Sequence, residues 1–294
     1  MENMIKGFEP VPFWESMKFG RPETDPKFFE DSDFLIIKDK FDQFCKNYKK
    51  NKISYTTPPP NPSIPPIIHF IWLGSSLPNK GKLVIDSWRE CHPGWEIKLW
   101  DDESVKTFKW TNGFTKFAFF DAKSYGEQAD ILRYEILYQF GGLYSDVDII
   151  CLHSFNDLIS NDLTFFGGQE TNHITKGWCN LHICNALIGV NKGNPILKWC
   201  IDHLETQTED TFAKGIIYRT GPLLLTTACR EYLNNKNENI LILPCSYFYP
   251  MPFIEEFGHV ELTASEILLR YISTESLAIH LLEGSRILNL KNLE

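Results

Sequence analysis

Hydrophobic and polar positions along residues 67–150 follow the pattern of alternating strands and helices. The apolar run at 67–73 predicts a buried strand, the pattern at 82–91 predicts a helix, and the alternation at 95–100 predicts a second strand. Asp101 and Asp102 follow this strand and are expected to cap the next helix. The clearest helix is predicted at 124–140, where five apolar residues form one stripe: Ala129, Leu132, Ile136, Leu137 and Phe140.

Further strands and one more helix are predicted after this point. The glycines at 141 and 142 end the helix, and residues 143–152 predict a strand. Strands are also predicted at 186–190 and 240–243, and a helix at 195–206. Because strands alternate with helices, the expected fold class is α/β, with an open Rossmann-like sheet flanked by helices.

The first 57 residues differ from the rest of the chain. They predict a helix at 33–48, where Phe34, Ile37, Phe41 and Phe44 recur at near-helical spacing. Six prolines at 58–66 predict a stiff linker. We therefore expect a helical N-terminal extension at 1–57, a Pro-rich linker at 58–66 and the main domain at 67–294. The extension either packs on the main domain or acts as a separate targeting or docking element.

Composition and charge narrow the classes of partner. The 294 residues are 43% hydrophobic and 14% aromatic, which is enough for a sizeable core. Lys and Arg number 29 and Asp and Glu number 38, which gives a net charge of −9. Such an acidic chain repels phosphate backbones, so nucleic acid is not an expected partner. A small anionic ligand would need a metal ion or a few placed basic side chains.

Cysteine spacing and the absence of long apolar runs predict a soluble protein of the cytoplasm, or of a host cytoplasm if it is a delivered effector. The eight cysteines contain no Cys-x-x-Cys pair, and Cys179 and Cys184 fit no common zinc pattern, so reduced and mostly buried thiols are expected. Residues 1–13 lack an apolar leader segment. No run approaches the ~18 apolar residues of a membrane-spanning helix.

Candidate chemistry is concentrated between residues 130 and 148. In the predicted strand, Tyr144, Asp146 and Asp148 share one face. Two such carboxylates suit Mn²⁺ or Mg²⁺, although acidic residues at a solvated strand end are the alternative. Asp130 and Arg133 share one face of the preceding helix, where a surface ion pair is the alternative. The unit therefore brings a carboxylate, a guanidinium and two metal-type carboxylates to one edge of a sheet.

Several motifs together resemble glycosyltransferase family 32. They are IIHFIWLG at 67–74, the motifs at 87–88 and 93–101, ADILRYEILY at 129–138, and GGLYSDVD at 141–148. The family includes yeast mannosyltransferases and bacterial capsule enzymes, and it is similar to clostridial glucosylating toxins and bacterial effectors. The resemblance covers roughly residues 67–286. It implies a GT-A fold with a mixed sheet, a nucleotide-sugar donor, a Mn²⁺ or Mg²⁺ cofactor, and retention of anomeric configuration by a front-side route.

The resemblance also implies roles for individual residues. Trp72 would stack on the donor base, although a Trp at a strand end is also typical of a core position. Asp130 and Arg133 would hold hydroxyls of the donor sugar. Asp146 would reach the ribose, the sugar and the water shell of the metal, and Asp148 would bind the metal directly.

Further implied donor-binding and metal-binding residues lie outside this stretch. Tyr144 and Asn185 are placed with the donor. Near the C-terminus, His280, Glu283 and Ser285 are placed with the metal, and Ser285 and Arg286 with the donor. Arg286 stands where the family has Trp, and its guanidinium could bind the diphosphate by a charge-assisted contact.

These observations predict a metal-dependent retaining glycosyltransferase. It would move a hexose or N-acetylhexosamine from a nucleotide sugar, with a UDP-linked donor preferred, to an acceptor hydroxyl on a protein or a glycan. One alternative is a cytosolic glycan-building or capsule-building enzyme that uses GDP-mannose or UDP-galactose. Another is a non-catalytic nucleotide-sugar-binding scaffold. A metal hydrolase or phosphotransferase would need more carboxylates or a His cluster than the sequence provides.

Overall fold

The computed structural model describes residues 12–17, 48, 62–159, 162–170, 174–175, 178–179, 182–204, 215–233, 238–251 and 271–281. The helices in this part of the chain are α1 Phe13–Ser16, α2 Asn79–Cys91, α3 Asp102–Lys106, α4 Gly113–Asp121, α5 Tyr125–Phe140, α6 Asn156–Ile159, α7 Pro195–Leu204, α8 Ile216–Arg219 and α9 Pro222–Tyr232. The strands are β1 Ile67–Ile71, β2 Glu96–Trp100, β3 Gly142–Ser145, β4 Ile149–Cys151, β5 Phe165–Gln169, β6 Ile174–Thr175, β7 Trp178–Cys179, β8 Ile183–Val190, β9 Ile240–Leu243 and β10 Ala278–His280.

A six-stranded mixed sheet forms the centre of the molecule, with the order β2-β1-β3-β8-β5-β9. Strand β1 runs parallel to β2 and β3, and β5 runs parallel to β9. Strand β8 is antiparallel to both β3 and β5. All residues of β3, β5, β8 and β9 are buried, because helices and loops cover both faces of the sheet. The expected α/β class with a mixed sheet and flanking helices is confirmed.

Helix α5 forms where its local signals place it. The Ser124 side chain accepts a hydrogen bond from the backbone N–H of Glu127, which caps the first turn. The helix ends at Gly141, which has φ 67°, and Gly142 follows with φ 98°. A Cβ atom on Gly142 would lie 2.5 Å from the carbonyl oxygen of Ile67, so the close approach of β1 requires glycine there. The helix therefore enters β3 through two residues that only glycine suits.

The strand predicted at 143–152 is wrong as one element. The chain leaves the central sheet after Ser145, and the last bond to β8 runs from the N–H of Asp146 to the carbonyl of Ala186. A turn follows, closed by the Ile149 N–H and the Asp146 carbonyl, and β4 then pairs with β10 in a separate two-stranded sheet. Tyr144, Asp146 and Asp148 consequently do not share a strand face, because period-two alternation ends with the strand.

Other predicted elements agree with the structure apart from their ends. Strand β9 has the predicted bounds, β8 begins three residues earlier than expected, and α7 begins at the predicted Pro195 and is described as far as Leu204. Strands β5 and β10 and helices α4 and α9 were not predicted. None of the described helices is long and apolar enough to span a membrane.

The described residues of the N-terminal segment contact the main core. Phe13, Met17 and Tyr48 belong to the same buried cluster as the central sheet. The N–H of Cys245 donates to the Met17 sulfur, 3.3 Å away. These contacts favour a packed extension for these three residues. The helix predicted at 33–48 lies outside the described residues apart from Tyr48, and the division at 58–66 stays a prediction.

Candidate functional site

Five strand ends meet at one edge of the central sheet. The carboxyl ends of β1, β3, β5 and β9 lie at this edge, together with the amino end of the antiparallel β8. Trp72 follows β1, and Asp146 and Asp148 follow β3. Glu170 follows β5, and Asn185 lies near the start of β8. Open α/β sheets bind ligands outside the carboxyl ends of their strands, so the predicted site residues lie at the expected edge.

A buried network surrounds Asp130 on helix α5. Its Oδ1 lies 3.1 Å from Arg133 Nη1 and accepts a hydrogen bond of 2.8 Å from Asn185 Nδ2. Its Oδ2 accepts a bond of 3.0 Å from the Thr220 hydroxyl. Arg133 Nη1 also donates to the backbone carbonyl of Asn185 at 2.7 Å. Helix α5, strand β8 and the segment before α9 thus hold one carboxylate in a fixed orientation.

Arg133 connects this network to the first carboxylate of the Asp-x-Asp motif. Its Nη2 donates to Asp146 Oδ1 at 3.0 Å and to the Tyr144 hydroxyl at 3.3 Å. The Tyr144 hydroxyl donates to the same Asp146 oxygen at 2.6 Å. The guanidinium carbon lies 4.2 Å from the centre of the Tyr144 ring, which is a cation–π contact. The predicted ion pair is therefore buried and shared, rather than a surface pair.

The charges in this network are strongly coupled. Burial and the nearby charge of Asp146 raise the pKa of Asp130 to about 6, against the lowering effect of Arg133. Burial also raises the pKa of Asp146. Burial lowers the pKa of Arg133, but the charges of Tyr144, Asp146 and Asp130 outweigh it and raise the pKa well above its usual value. Arg133 is therefore a permanent cation between two carboxylates.

Asp146, Asp148 and His280 form a second cluster, which we call the metal triad. Among the described residues, it is the group of carboxylates and imidazoles whose ligand atoms all lie within 4.8 Å of one another. His280 Nε2 lies 3.2 Å from Asp148 Oδ1. The pairing of β10 with β4 places His280 opposite Ile149, and the N–H of Leu281 donates to the Asp148 carbonyl.

The donor set of the metal triad fits a divalent cation. Two carboxylates and one imidazole suit Mn²⁺, for which oxygen ligands are typical. Burial lowers the pKa of His280, but the charges of Asp148 and Asp146 raise it above its usual value, which shows how negative the cluster is without a cation. His280 Nδ1 is buried and has no hydrogen-bond partner.

The remaining predicted residues fall into two groups. Trp72 is half-buried at the end of β1, and its Nε1 donates to the Ser75 hydroxyl at 3.2 Å. Glu283, Ser285 and Arg286 lie outside the described residues, so their predicted roles stay predictions.

The structure adds further residues to the network around Asp130. The Tyr134 hydroxyl donates to the Thr220 carbonyl at 2.6 Å and accepts from Asn185 at 3.3 Å. Arg219 pairs with Glu127, and their side chains are only 14% and 7% exposed, so this ion pair is largely buried. The Thr-Gly-Pro motif at 220–222 was the available signal, because it begins α9 beside these residues.

A further polar group borders the metal triad. The Cys184 thiol donates to Glu170 Oε1 at 2.6 Å. The ring of Tyr249 lies edge-on to the ring of His280, with 5.9 Å between the ring centres. The six cysteines whose side chains are described are free thiols, and five of them are buried: Cys151, Cys184, Cys200, Cys229 and Cys245.

Comparisons with known proteins agree with the sequence motifs. Residues 78–165 match the family model "Glycosyltransferase sugar-binding region containing DXD motif", which confirms the resemblance that the motifs indicate. The matched segment includes five of the predicted site residues: Asp130, Arg133, Tyr144, Asp146 and Asp148.

Individual relatives are distant. Inositol phosphoceramide mannosyltransferase 1 of Schizosaccharomyces pombe is 28% identical over 187 residues, which are 62% of this chain and 56% of the relative. An uncharacterised glycosyltransferase of Acanthamoeba polyphaga mimivirus is 24% identical over 223 residues, 74% of this chain and 85% of the relative. The solved catalytic domain of alpha-toxin from Clostridium novyi covers 94% of this chain and 93% of its own length, with 10% identity and a TM-score of 0.48. The chain spans about half the length of the fission-yeast mannosyltransferases that it matches.

Proposed function

We propose, from the match of residues 78–165 to the sugar-binding region of a glycosyltransferase family, that this chain transfers a hexose or N-acetylhexosamine from a nucleotide sugar to an acceptor hydroxyl. One observation carries the proposal: the Asp130–Arg133–Asp146 network of the matched region shares Asp146 with the metal triad. The GT-A architecture belongs to the same proposal and is supported by the mixed sheet with the site at its carboxyl edge.

The network around Asp130 is suited to binding a sugar hydroxyl. A carboxylate has about four lone-pair sites. Asn185 and Arg133 occupy two sites on Oδ1, and Thr220 occupies one on Oδ2. About one site on Oδ2 remains to accept a hydroxyl proton. Because the other contacts fix the carboxylate before the sugar arrives, little conformational freedom is lost on binding.

The metal triad would hold Mn²⁺, or Mg²⁺, through Asp146, Asp148 and His280. When bound, the cation supplies Lewis-acid stabilisation of the leaving diphosphate. Because the chain has a net charge of −9, an anionic donor needs a nearby positive charge to bind, and the cation would supply it. Glu283 and Ser285 from the segment that follows β10 are proposed to complete the ligand set.

Retention of configuration by a front-side route is proposed because Asp130 and Asp146, the two carboxylates that contact Arg133, are poor nucleophiles. Asp130 is held by three polar side chains. Asp146 Oδ1 accepts from both Arg133 and Tyr144. A covalent route would need an activated carboxylate free to approach the anomeric carbon, and the hydrogen bonds of these two residues oppose that approach.

The donor base and sugar define two candidate activities. A UDP-linked donor is our first expectation, and the name of the fission-yeast relative favours GDP-mannose as the second. Stacking of a base on Trp72 would accept either nucleotide, because every base has a π face. Tyr144 would line the donor site through its contact with Arg133, and Arg286 would bind the diphosphate.

Nucleotide release is the experiment that tests the proposal. Purified protein is incubated with UDP-glucose, UDP-N-acetylglucosamine, UDP-galactose or GDP-mannose, with Mn²⁺ or with EDTA, and free nucleotide is measured. We expect release from one donor that EDTA abolishes and that Asp148→Asn reduces at least about 100-fold. Asp86→Asn, an exposed carboxylate on α2, is the matched control and should retain full activity. Metal-dependent binding of a donor without release from any donor would instead support the scaffold alternative.

A further inference from the structure

Helix α4 exposes a row of aromatic side chains, which we call the aromatic ridge. Phe114, Phe117 and Phe120 are 40%, 66% and 60% exposed, and none of the three belongs to the hydrophobic core. Their spacing of three residues places them on the face of the helix opposite to Thr115 and Phe119, which are buried. Single exposed apolar residues are common, whereas three aligned phenylalanines form a patch of the kind that marks an interaction surface.

The other face of α4 is firmly held, so the ridge is a fixed feature of the surface. The Asn112 side chain accepts a hydrogen bond of 2.7 Å from the Thr115 N–H and caps the helix. The rings of Trp110 and Phe119 pack with 5.0 Å between their centres. Gln128 Nε2 of α5 donates to the Phe119 carbonyl at 3.2 Å. These contacts attach α4 to α5 and leave the three phenylalanines outside.

Lysines flank the ridge, although the chain as a whole is acidic. Residues 109–126 contain three lysines, Lys109, Lys116 and Lys123, and one acidic residue, Asp121. All three lysines are exposed, and Lys123 pairs with Asp121 at 3.0 Å. The segment therefore carries an excess of positive charge within a chain of net charge −9. Such a segment attracts an anionic surface that the rest of the molecule repels.

The ridge lies next to the active-site edge of the sheet. Tyr125, the first residue of α5, follows α4 closely and is 60% exposed. Its ring packs against Gly74, where a Cβ atom would lie 2.1 Å from Tyr125 Cζ. Gly74 comes two residues after Trp72, and Asp130 lies between one and two turns further along α5. A partner that docks on α4 therefore lies beside the proposed donor site.

The size and chemistry of the ridge favour a lipid bilayer over a second copy of this chain. A Phe side chain has an area of about 200 Å², so the three exposed fractions together present about 300 Å². A stable protein interface buries about 800 Å² on each partner. Aromatic side chains between lysines suit a bilayer better, because the rings enter the boundary of the acyl chains while the ammonium groups meet anionic headgroups.

We propose that the aromatic ridge docks this protein on an anionic lipid bilayer. Phe114, Phe117 and Phe120 insert into the interface, and Lys109 and Lys116 contact the lipid phosphates or carboxylates. Three side chains bury far less apolar area than a spanning helix, so this docking is reversible. It places the active-site edge close to the headgroups. The inference does not depend on which donor or acceptor the site uses.

Binding to vesicles tests the proposal. The full chain is mixed with vesicles of phosphatidylcholine alone or with about 30 mol% phosphatidylserine, and the bound fraction is measured by sedimentation. EDTA is present, so that no cation at the metal triad can bridge the protein to lipid. The variants are the double substitution Phe117→Ser with Phe120→Ser, and Lys116→Ala. Thermal unfolding and nucleotide release from a soluble donor are recorded for each variant, because both should stay as in wild type if only docking is lost.

Leu83→Ser is the matched control. Leu83 is 63% exposed, as much as the ridge residues, but it lies on α2. Phe70 of β1 packs against Trp88 of α2, whereas the preceding His69 packs against Phe140 of α5. Because neighbouring residues of a strand point to opposite faces, α2 and α5 lie on opposite sides of the sheet. The control thus removes an exposed apolar side chain on the side away from the ridge.

We expect wild type to bind the vesicles with phosphatidylserine, and the double variant to lower the partition coefficient at least about tenfold through loss of two inserted rings. Lys116→Ala should lower it about fivefold, and Leu83→Ser should change it less than about twofold.

Four outcomes would overturn the proposal. They are no binding of wild type to either kind of vesicle, equal binding of wild type and the double variant, an equal loss in Leu83→Ser, and a wild-type dimer in analytical ultracentrifugation that the double variant dissociates. The last outcome would assign the ridge to a second copy of the chain. None of them affects the proposed function, because nucleotide release from a soluble donor is measured without a bilayer.

Discussion

Replacement of Asp130 by Asn tests the electrostatics of the buried network around this residue. The carboxylate is buried, and its pKa is raised to about 6 in the folded protein from the ordinary value of 3.8, mainly by loss of solvation and then by Asp146. Between these two values the folded state binds a proton that the unfolded state has released. The ionised group therefore opposes folding, and its contribution to stability falls as the pH rises from about 4 to about 7.

The magnitude follows from the size of the shift. One pKa unit corresponds to about 1.4 kcal/mol, so a shift of roughly two units corresponds to about 3 kcal/mol. Asn has nearly the same shape, its carbonyl can still accept from Thr220, and it does not titrate. Because pH 4 already lies just above the unfolded value, the free energy of unfolding of wild type minus that of Asp130→Asn should be about 2 kcal/mol larger at pH 4 than at pH 7.

Urea unfolding at several pH values measures this difference. The titrations are done with EDTA, so that metal binding does not contribute, and are followed by tryptophan fluorescence. Asp86→Asn, which replaces an exposed carboxylate, serves as the control for the substitution itself. A difference between wild type and Asp130→Asn that stays constant from pH 4 to pH 7 would refute the claim that burial dominates the pKa of Asp130.

Three further predictions concern single positions. Gly142→Ala should lower the free energy of unfolding by about 1–3 kcal/mol, because φ is 98° and the new methyl group would meet the Ile67 carbonyl. Urea unfolding measures this, and an unchanged midpoint would contradict it. Trp72→Ala should raise the donor KM about tenfold with a smaller change in kcat, through loss of base stacking; steady-state kinetics with an unchanged donor KM would exclude the stacking role. His280→Ala should weaken Mn²⁺ binding in calorimetry at least about tenfold, and the wild-type affinity should rise with pH because the raised pKa of His280 makes protons compete with the metal.

Local sequence signals predicted the elements that depend on neighbouring residues. Ser124 caps α5 and the glycines at 141 and 142 end it, both at the predicted places. Asp101 caps α3 as expected, through a capping box with Ser104. These signals act within one turn of the chain, so the sequence alone is sufficient for them. The family motifs are likewise short and local, and those between residues 87 and 148 fall within the segment that matches the family model.

The geometry of the site was decided by pairings between distant segments. Asp146 and Asp148 were expected on one strand face, but β3 ends at Ser145 and a turn carries both carboxylates. That turn still brings them together with His280, because β10 pairs with β4 across more than a hundred residues of chain. No local periodicity encodes such a pairing, since it depends on which strands bury their faces against each other.

The sequence by itself determined the α/β class, the boundaries of α5 and β9, and the residue types that carry the chemistry. Only the tertiary structure decided which of these residues meet. The contacts of Asp130 with Asn185 and Thr220, and of Cys184 with Glu170, join elements that are far apart in the chain. The physical reason is that capping and helix termination are satisfied within a few residues, whereas a buried polar group finds its partner only when the sheet has been assembled and water has been excluded.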